Sequence, residues 1–293
     1  MDSFWIILTG ILVAASTSLL GSFLLLRKMT MVGDAISHAV LPGIVLAYLV
    51  SQSRASWIML AGAALFGILT TLLIEVLHKR AKLQSDAAIG ISFTWLFAIG
   101  VILISLFAGQ VDLDQDCVLY GEIAYVPLDI WLLSNGMNLG PITVWRLSFL
   151  LILVIVFVVL AYKPLLVTSF DPVFSAAVGI STVFWHYALM SLVSLATVLS
   201  FESVGAILVI AFLVGPAATA YLLTENLIRM LVLSVVMGII AAITGYGLAV
   251  FIDGSIAGGM AVAIGAEFLL ALAYSKWTSK HLVLEKGKVV TKT

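Results

Sequence analysis

The sequence predicts an all-α, polytopic membrane protein with about eight or nine transmembrane helices. Of its 293 residues, 63% are hydrophobic and 10% are charged, whereas a soluble domain carries about 25% charged residues. The mean hydropathy is +1.23. The apolar runs reach about 20 residues, the length of a membrane-spanning helix, and they lack the short alternating pattern of a membrane β-barrel.

Nine apolar stretches are long enough to cross a bilayer. They cover residues 4–26, 33–51, 56–77, 87–108, 143–162, 183–200, 204–223, 228–250 and 258–276. The count falls to eight if the break near 200–204 is a bend within one helix. The first stretch lacks the positive region of a signal peptide, so we expect it to be an uncleaved span. We assign residues 1–277 to a transmembrane domain and 278–293 to a basic cytoplasmic tail.

The placement of lysine and arginine predicts the orientation, because cytoplasmic segments of membrane proteins carry an excess of these residues. With the N-terminus outside, twelve of the 14 fall on the inner side and two, Arg54 and Arg146, on the outer side. The inner group is Arg27, Lys28, Lys79, Arg80, Lys82, Lys163, Arg229, Lys276, Lys280, Lys286, Lys288 and Lys292. We therefore predict a protein of the bacterial inner membrane with a cytoplasmic C-terminus.

Two connections between spans are long. The outer one, residues 109–142, is too polar to span and too apolar to be disordered, so we expect a short interfacial helix and turns. The inner one, residues 163–182, contains Asp171 and Pro172, which suit the N-cap and first position of a short helix. Gly179 suits its end. This segment predicts a helix lying on the cytoplasmic face.

Few ionisable side chains fall within the apolar spans or at their ends. Each one inside a span costs about 3 kcal/mol on insertion, so each is a functional hypothesis. They are Asp34, His38, Glu75, His186, Glu202 and Glu267. Taken singly, the last four have plainer interpretations: Glu75 beside His78 as a solvated interface, His186 as a packed histidine, Glu202 as a cap of the seventh span, and Glu267 as a hydrogen-bonding partner of a neighbouring helix.

Asp34 and His38 are four residues apart, which places both side chains on one helix face. A carboxylate and an imidazole suit Mn, Fe or Zn, and the imidazole disfavours Mg and Ca. Two ligands suit a pathway that must release its ion, and Pro42 frees the carbonyl of His38 from its helical bond. The alternative is that Asp34 caps the helix and His38 hydrogen-bonds to it.

Several classes of function are not expected. The net charge of -1 gives no basic surface for nucleic acid. A single cysteine, Cys117, excludes an internal disulfide and a cysteine metal cluster. The sequence contains no His-Glu-x-x-His and no Gly-x-Ser-x-Gly, so an enzyme is not expected. It contains no Walker-type Gly-x-x-x-x-Gly-Lys-Ser/Thr, so any ATPase must be another polypeptide.

Four segments carry a resemblance to a known family. Residues 25–43 read LLRKMTMVGDAISHAVLPG, residues 170–180 read FDPVFSAAVGI, and residues 203–223 read SVGAILVIAFLVGPAATAYLL. In this order they resemble the permease subunits of ABC-type manganese, zinc and iron importers, which implies a type II ABC importer-like fold. Residues 112–129, DLDQDCVLYGEIAYVPLD, resemble the manganese-type branch in particular.

The resemblance implies roles for named residues. Asp34, His38 and Glu202 would line the metal path, Glu202 near the inner vestibule. The coupling segment, about 168–181, would contact the ATPase through Phe170, Asp171, Pro172, Ala176 and Gly179. Helix packing and gating would involve Pro42, Gly43, Gly205, Gly215 and Pro216, although many relatives have a bulkier residue at Gly215. Arg54 and Arg146 would face a docking protein outside.

The resemblance also implies partners. These are an ABC ATPase subunit, an extracytoplasmic metal-binding protein, and a second permease subunit, identical or related, within the lipid membrane. No permanently bound cofactor is expected; the cargo is Mn2+ first, with Zn2+ or Fe2+ as alternatives. Two rival functions stay open: an ion- or proton-coupled secondary metal transporter, and a non-transporting scaffold or metal-sensing partner.

Overall fold

The computed structural model describes residues 2–51, 56–107, 123–132 and 138–290, without the side chains of residues 56, 132, 138 and 279–290. Its helices are α1 Asp2–Leu26, α2 Val32–Ser51, α3 Ser56–Arg80, α4 Ser85–Phe107, α5 Ile142–Leu160, α6 Tyr162–Phe170, α7 Pro172–Ala177, α8 Thr182–Val204, α9 Ala206–Leu223, α10 Leu227–Ile252 and α11 Ile256–Val290. A 3₁₀ helix, Ile123–Leu128, and two strands, β1 Ile130–Leu132 and β2 Asn138–Pro141, precede α5.

Nine helices in the described part of the chain are long and apolar enough to cross a membrane, namely α1 to α5 and α8 to α11. This agrees with the predicted all-α fold and its nine spans. The alternative of eight spans is wrong, because the helix is broken at Gly205. That residue has φ of +80°, a conformation that glycine adopts without steric cost, and it alone joins α8 to α9.

The outer connection differs from its prediction. The expected helix is of the 3₁₀ type, and the turns include two antiparallel strands that pair Ile130 with Pro141. Gly140, at φ +82°, packs against the Trp5 ring at the start of α1. Residues 108–122 and 133–137 lie outside the described residues, and they include the acidic residues Asp112, Asp114, Asp116 and Glu122 of this connection.

The inner connection contains the predicted short helix. The backbone N–H of Phe174 donates to the Asp171 carboxylate over 2.9 Å, and Pro172 is the first residue of α7. Gly179 follows the helix with φ of +84°. The sequence analysis did not predict α6, the nine-residue helix that precedes it.

Helix α1 is the most buried of the described spans and packs against α5, α9 and α10. Most of its buried hydroxyls bond within the helix: Ser16 donates to the carbonyl of Leu12, and Thr17 donates to that of Val13, over 2.8 and 2.7 Å. Such internal bonds avoid the cost of unpaired polar groups where no water is available. The second group of helices is α2 with α3 and α4, joined to the first through α8 and α9.

The two ends of the bundle differ in charge. The connections at residues 27–31, 81–84, 161–181 and 224–226 lie at one end. Most described lysines and arginines lie there or in the adjoining helix turns, and we call it the basic end. The β-strands, Gly205 and the turn at residues 253–255 lie at the opposite end.

Candidate functional site

Asp34 and His38 lie together in the first two turns of α2, near the basic end. His38 Nε2 is 3.3 Å from Asp34 Oδ1, and the two side chains are 30% and 26% exposed. Helix α2 begins at Val32, so Asp34 lies within the helix and is not its N-cap residue. This distance also fits the plainer interpretation, in which the two side chains interact with each other, and the partial exposure leaves both groups accessible to an ion.

Helix α4 forms the neighbouring wall of this pair. The rings of Phe93 and Phe97 each lie 5.7 Å from the His38 ring, measured between centroids. Pro42 continues α2 one turn beyond His38 and lacks the N–H that would bond to the His38 carbonyl. A Cβ at Gly100 would lie 2.8 Å from the Pro42 ring, so glycine at this position lets α4 approach.

The donor set at Asp34 and His38 is small. Among the described residues, no group of three or more His, Cys, Asp or Glu side chains is placed to hold a metal ion. One carboxylate and one imidazole fit a borderline divalent ion. Water, backbone carbonyls or another subunit would have to supply its remaining ligands, and an ion held by so few protein groups can leave again.

Glu202 lies far from that pair. It is in the last turn of α8, at the end opposite the basic end, and is 44% exposed. Its Oε1 is 3.4 Å from Arg146 Nη1, so a predicted metal-path residue pairs with a predicted docking residue. The resemblance placed Glu202 near the inner vestibule, and this position does not match. Glu202 is not the cap of α9 either, because Gly205 occupies that position. Arg54 lies outside the described residues.

The coupling segment presents an apolar surface at the basic end. The large side chains of Phe170, Val173, Phe174 and Val178 are exposed, which suits contact with another protein. Ala176 is also exposed, on the same short helix.

Arg27, the residue that directly follows α1, connects this segment to that helix. Its Nε donates to the Ser169 hydroxyl over 3.0 Å, and its Nη2 donates to that of Thr168 over 2.9 Å. Burial lowers the pKa of Arg27 to about 10, so the guanidinium is still protonated at neutral pH.

The small residues assigned to packing lie at close helix contacts. A Cβ at Gly43 would lie 2.5 Å from the Gly62 carbonyl oxygen, and one at Gly215 would lie 2.0 Å from the Ile264 side chain. A bulkier residue at Gly215 would therefore require Ile264 to move. Pro216 is buried within α9.

Sequence reasoning missed a second carboxylate–imidazole pair. Glu75 is only 7% exposed, and its Oε2 is 3.1 Å from His186 Nε2. Its Oε1 forms an ion pair with Lys79. The interpretation of Glu75 as a solvated interface residue is therefore wrong. The sequence does show Glu75 near the end of one span and His186 near the beginning of another, both on the basic side of the membrane. It does not show that they are paired, because that contact depends on the packing of α3 against α8.

Comparisons with known proteins identify the family of the chain. A family model described as the ABC 3 transport family matches residues 3–275. The chain is 46% identical over 271 residues to the manganese transport system membrane protein MntD of Bacillus subtilis, covering 92% of this chain and 91% of that protein. It is 41% identical over 291 residues to the zinc transport system membrane protein TroD of Treponema pallidum, covering 97% and 76%.

A solved structure supports the same assignment. It is described as PsaBC from Streptococcus pneumoniae in complex with Fab. It superposes with a TM-score of 0.74 at 30% identity, covering 91% of this chain and 89% of that one. With a family model that matches almost the whole chain and long relatives above 40% identity, the chain belongs to the ABC 3 transport family.

Proposed function

We propose that this chain is the membrane permease subunit of an ATP-driven importer for divalent transition-metal ions, with Mn2+ as its first substrate and Zn2+ or Fe2+ as alternatives. The observation that carries the proposal is the Asp34–His38 pair, a carboxylate and an imidazole 3.3 Å apart and partly exposed in a membrane helix. Family membership and relatives named for manganese and zinc transport support it.

The pathway runs from the end that carries Arg146 and Glu202 toward the basic end. An extracytoplasmic binding protein delivers the ion at the first end, and Arg146 belongs to its docking surface. Glu202 pairs with Arg146 there, so its place on the pathway is the outer mouth. Asp34 and His38 then hold the ion, and water or a second permease subunit, identical or related, supplies further ligands.

ATP hydrolysis takes place in a separate cytoplasmic subunit. That subunit contacts the coupling segment at about residues 168–181, where the exposed Phe170 and Phe174 provide apolar contact area. Closure of the ATPase moves α7, and the bundle opens inward by a rigid-body rearrangement. The N-terminus lies outside and the C-terminus in the cytoplasm, in agreement with the excess of basic residues at the basic end.

The test is metal uptake by the variant Asp34→Asn with His38→Gln. Both replacements are close in size to the native residues but weaken or remove the metal donors. We expect Mn2+ accumulation to fall by at least about tenfold, while the amount in the membrane and the apparent Tm stay unchanged. Glu267→Gln is the matched control, because it removes another carboxylate of a spanning helix and should leave uptake intact. Normal uptake by the double variant would refute the proposal.

A carboxylate 3.3 Å from an imidazole also suits a proton relay, as in an ion-coupled secondary transporter. Inverted vesicles or proteoliposomes that contain the chain with its ATPase separate the two mechanisms. Uptake that needs ATP and persists after the proton gradient is dissipated supports the importer. Uptake driven by a gradient in the absence of ATP supports the secondary transporter.

A further inference from the structure

The second carboxylate–imidazole pair joins two spans that are distant in sequence. Glu75 lies near the end of α3 and His186 near the beginning of α8, with Glu75 Oε2 and His186 Nε2 3.1 Å apart. An acid this deeply buried in a spanning helix is costly unless it is paired, and Glu75 is paired with both Lys79 and His186.

This pair lines a cavity at the basic end. The cavity has a volume of about 340 Å³, and its lining includes Arg27, His78 and Pro172 besides the pair. A space of this size holds an ion together with several water molecules. Val32 also lines it, two residues before Asp34, so the cavity reaches the beginning of the helix that carries the first pair.

The two pairs lie at different depths in the bundle. A Cβ at Gly67 would touch both Ile36 and Ser194, so these three residues share one level, and Ile36 lies between Asp34 and His38. Glu75 is eight residues beyond Gly67, and His186 is eight residues before Ser194. Because α3 and α8 run in opposite directions, both lie about 12 Å nearer the basic end than the first pair.

We propose that Glu75 and His186 form a second, weaker transition-metal site, which takes Mn2+ after it leaves Asp34 and His38. Its donors are the same two chemical types, which favour Mn, Fe or Zn over Mg or Ca. The order of the two sites rests on the proposed function; the binding of Mn2+ by Glu75 and His186 does not.

The surrounding charges make this site a transient one. Lys79 forms an ion pair with Glu75, so an arriving ion must displace its ammonium group. Arg27 lines the same cavity and adds a second positive charge. These cations oppose a resident metal ion and favour its release into the cytoplasm, as a conduction path requires.

The test measures Mn2+ binding to the purified full-length chain in nanodiscs by electron paramagnetic resonance. Excess Mg2+ occupies sites made only of carboxylates. In the Asp34→Asn/His38→Gln background, we expect a weaker Mn2+-binding signal to remain. Adding Glu75→Gln and His186→Gln should abolish it, whereas adding Glu267→Gln should leave it unchanged. Lys79→Ala should tighten the binding by about fivefold, because it removes a partly exposed competing ion pair.

Two results overturn the site: no Mn2+ binding in the Asp34→Asn/His38→Gln background, or binding that survives Glu75→Gln with His186→Gln. If the variant with all four changes fails to fold, His186→Gln is added alone to the Asp34→Asn/His38→Gln background. The site then requires that His186→Gln lower the Mn2+ affinity and that Lys79→Ala raise it. A purely structural ion-pair role predicts altered melting and no change in Mn2+ binding. Failure of the uptake test for Asp34 and His38 with this binding intact would reject the proposed function alone.

Discussion

Gly21 marks the closest approach of two helices in the bundle core. A Cβ at this residue of α1 would lie 1.7 Å from the carbonyl oxygen of Leu213 in α9, a backbone atom that cannot turn away. Close contacts of this type, made possible by small residues, replace the hydrophobic effect as the source of helix association in lipid.

We therefore expect Gly21→Ala to destabilise the protein by about 1–3 kcal/mol, the usual cost of overpacking. The apparent Tm in detergent should fall, and the amount of folded protein in the membrane should fall with it. The matched control is Gly247→Ala in α10, because a Cβ there meets no atom within 4 Å. An equal loss of stability in both variants would contradict the steric explanation.

The sequence predicted the pair whose two residues lie on one helix, and it did not predict the pair whose residues lie on two different helices. Asp34 and His38 are one turn apart, so their spacing alone places them on one face, and the structure brings them to 3.3 Å. Glu75 and His186 are separated by four intervening helices. No local pattern contains their contact, because it depends on how α3 packs against α8.

Among the elements, α7 depends on one side chain. The Asp171 carboxylate accepts the Phe174 backbone N–H, and losing such a cap costs about 1 kcal/mol. In a helix of only six residues, this loss favours fraying.

We expect Asp171→Ala to lower Mn2+ uptake by about fivefold, the change that about 1 kcal/mol gives, with normal amounts of protein in the membrane. Asp171→Asn should retain uptake, since asparagine caps as well as aspartate. Uptake is measured in cells at equal expression. Equal losses in the two variants would show that the charge of Asp171 matters and the cap does not.

The spanning helices were predictable because the membrane interior permits few backbone conformations. Every backbone group must be paired inside the membrane, which makes long apolar runs helical. All predicted spans but the last therefore end within a few residues of the observed helices; the stretch 228–250, for example, corresponds to Leu227–Ile252. The last helix continues to Val290, beyond the predicted end at residue 276. Strand β1 was not predicted, because three residues of a polar connection carry no such constraint.

For the whole molecule, the testable statement is its orientation. Glu225 lies in an exposed turn at the basic end, and Gly254 lies in an exposed turn at the opposite end. In a Cys117→Ser background, we expect a membrane-impermeant maleimide added to intact cells to label Gly254→Cys and to leave Glu225→Cys unlabelled. Permeabilised cells provide the control, since both cysteines should then react. The reverse pattern would place the N-terminus in the cytoplasm.

The charge asymmetry that predicts this orientation is a property of the sequence alone. How the helices pack is not, so the pairing of Glu202 with Arg146 could not be predicted from the sequence. A family resemblance assigns roles to the residues of a motif, but it does not give the distances between residues on different helices.

The two hydrogen bonds of Arg27 give the bundle a mechanical link. A planar guanidinium that donates through two nitrogens fixes an angle as well as a distance, so Arg27 holds α6 against the end of α1. A displacement of the adjoining α7 would therefore reach α1, the most buried span, through side-chain hydrogen bonds as well as through the connecting backbone. If the proposed ATPase moves α7, the same link would carry part of that movement to α1 at the centre of the bundle.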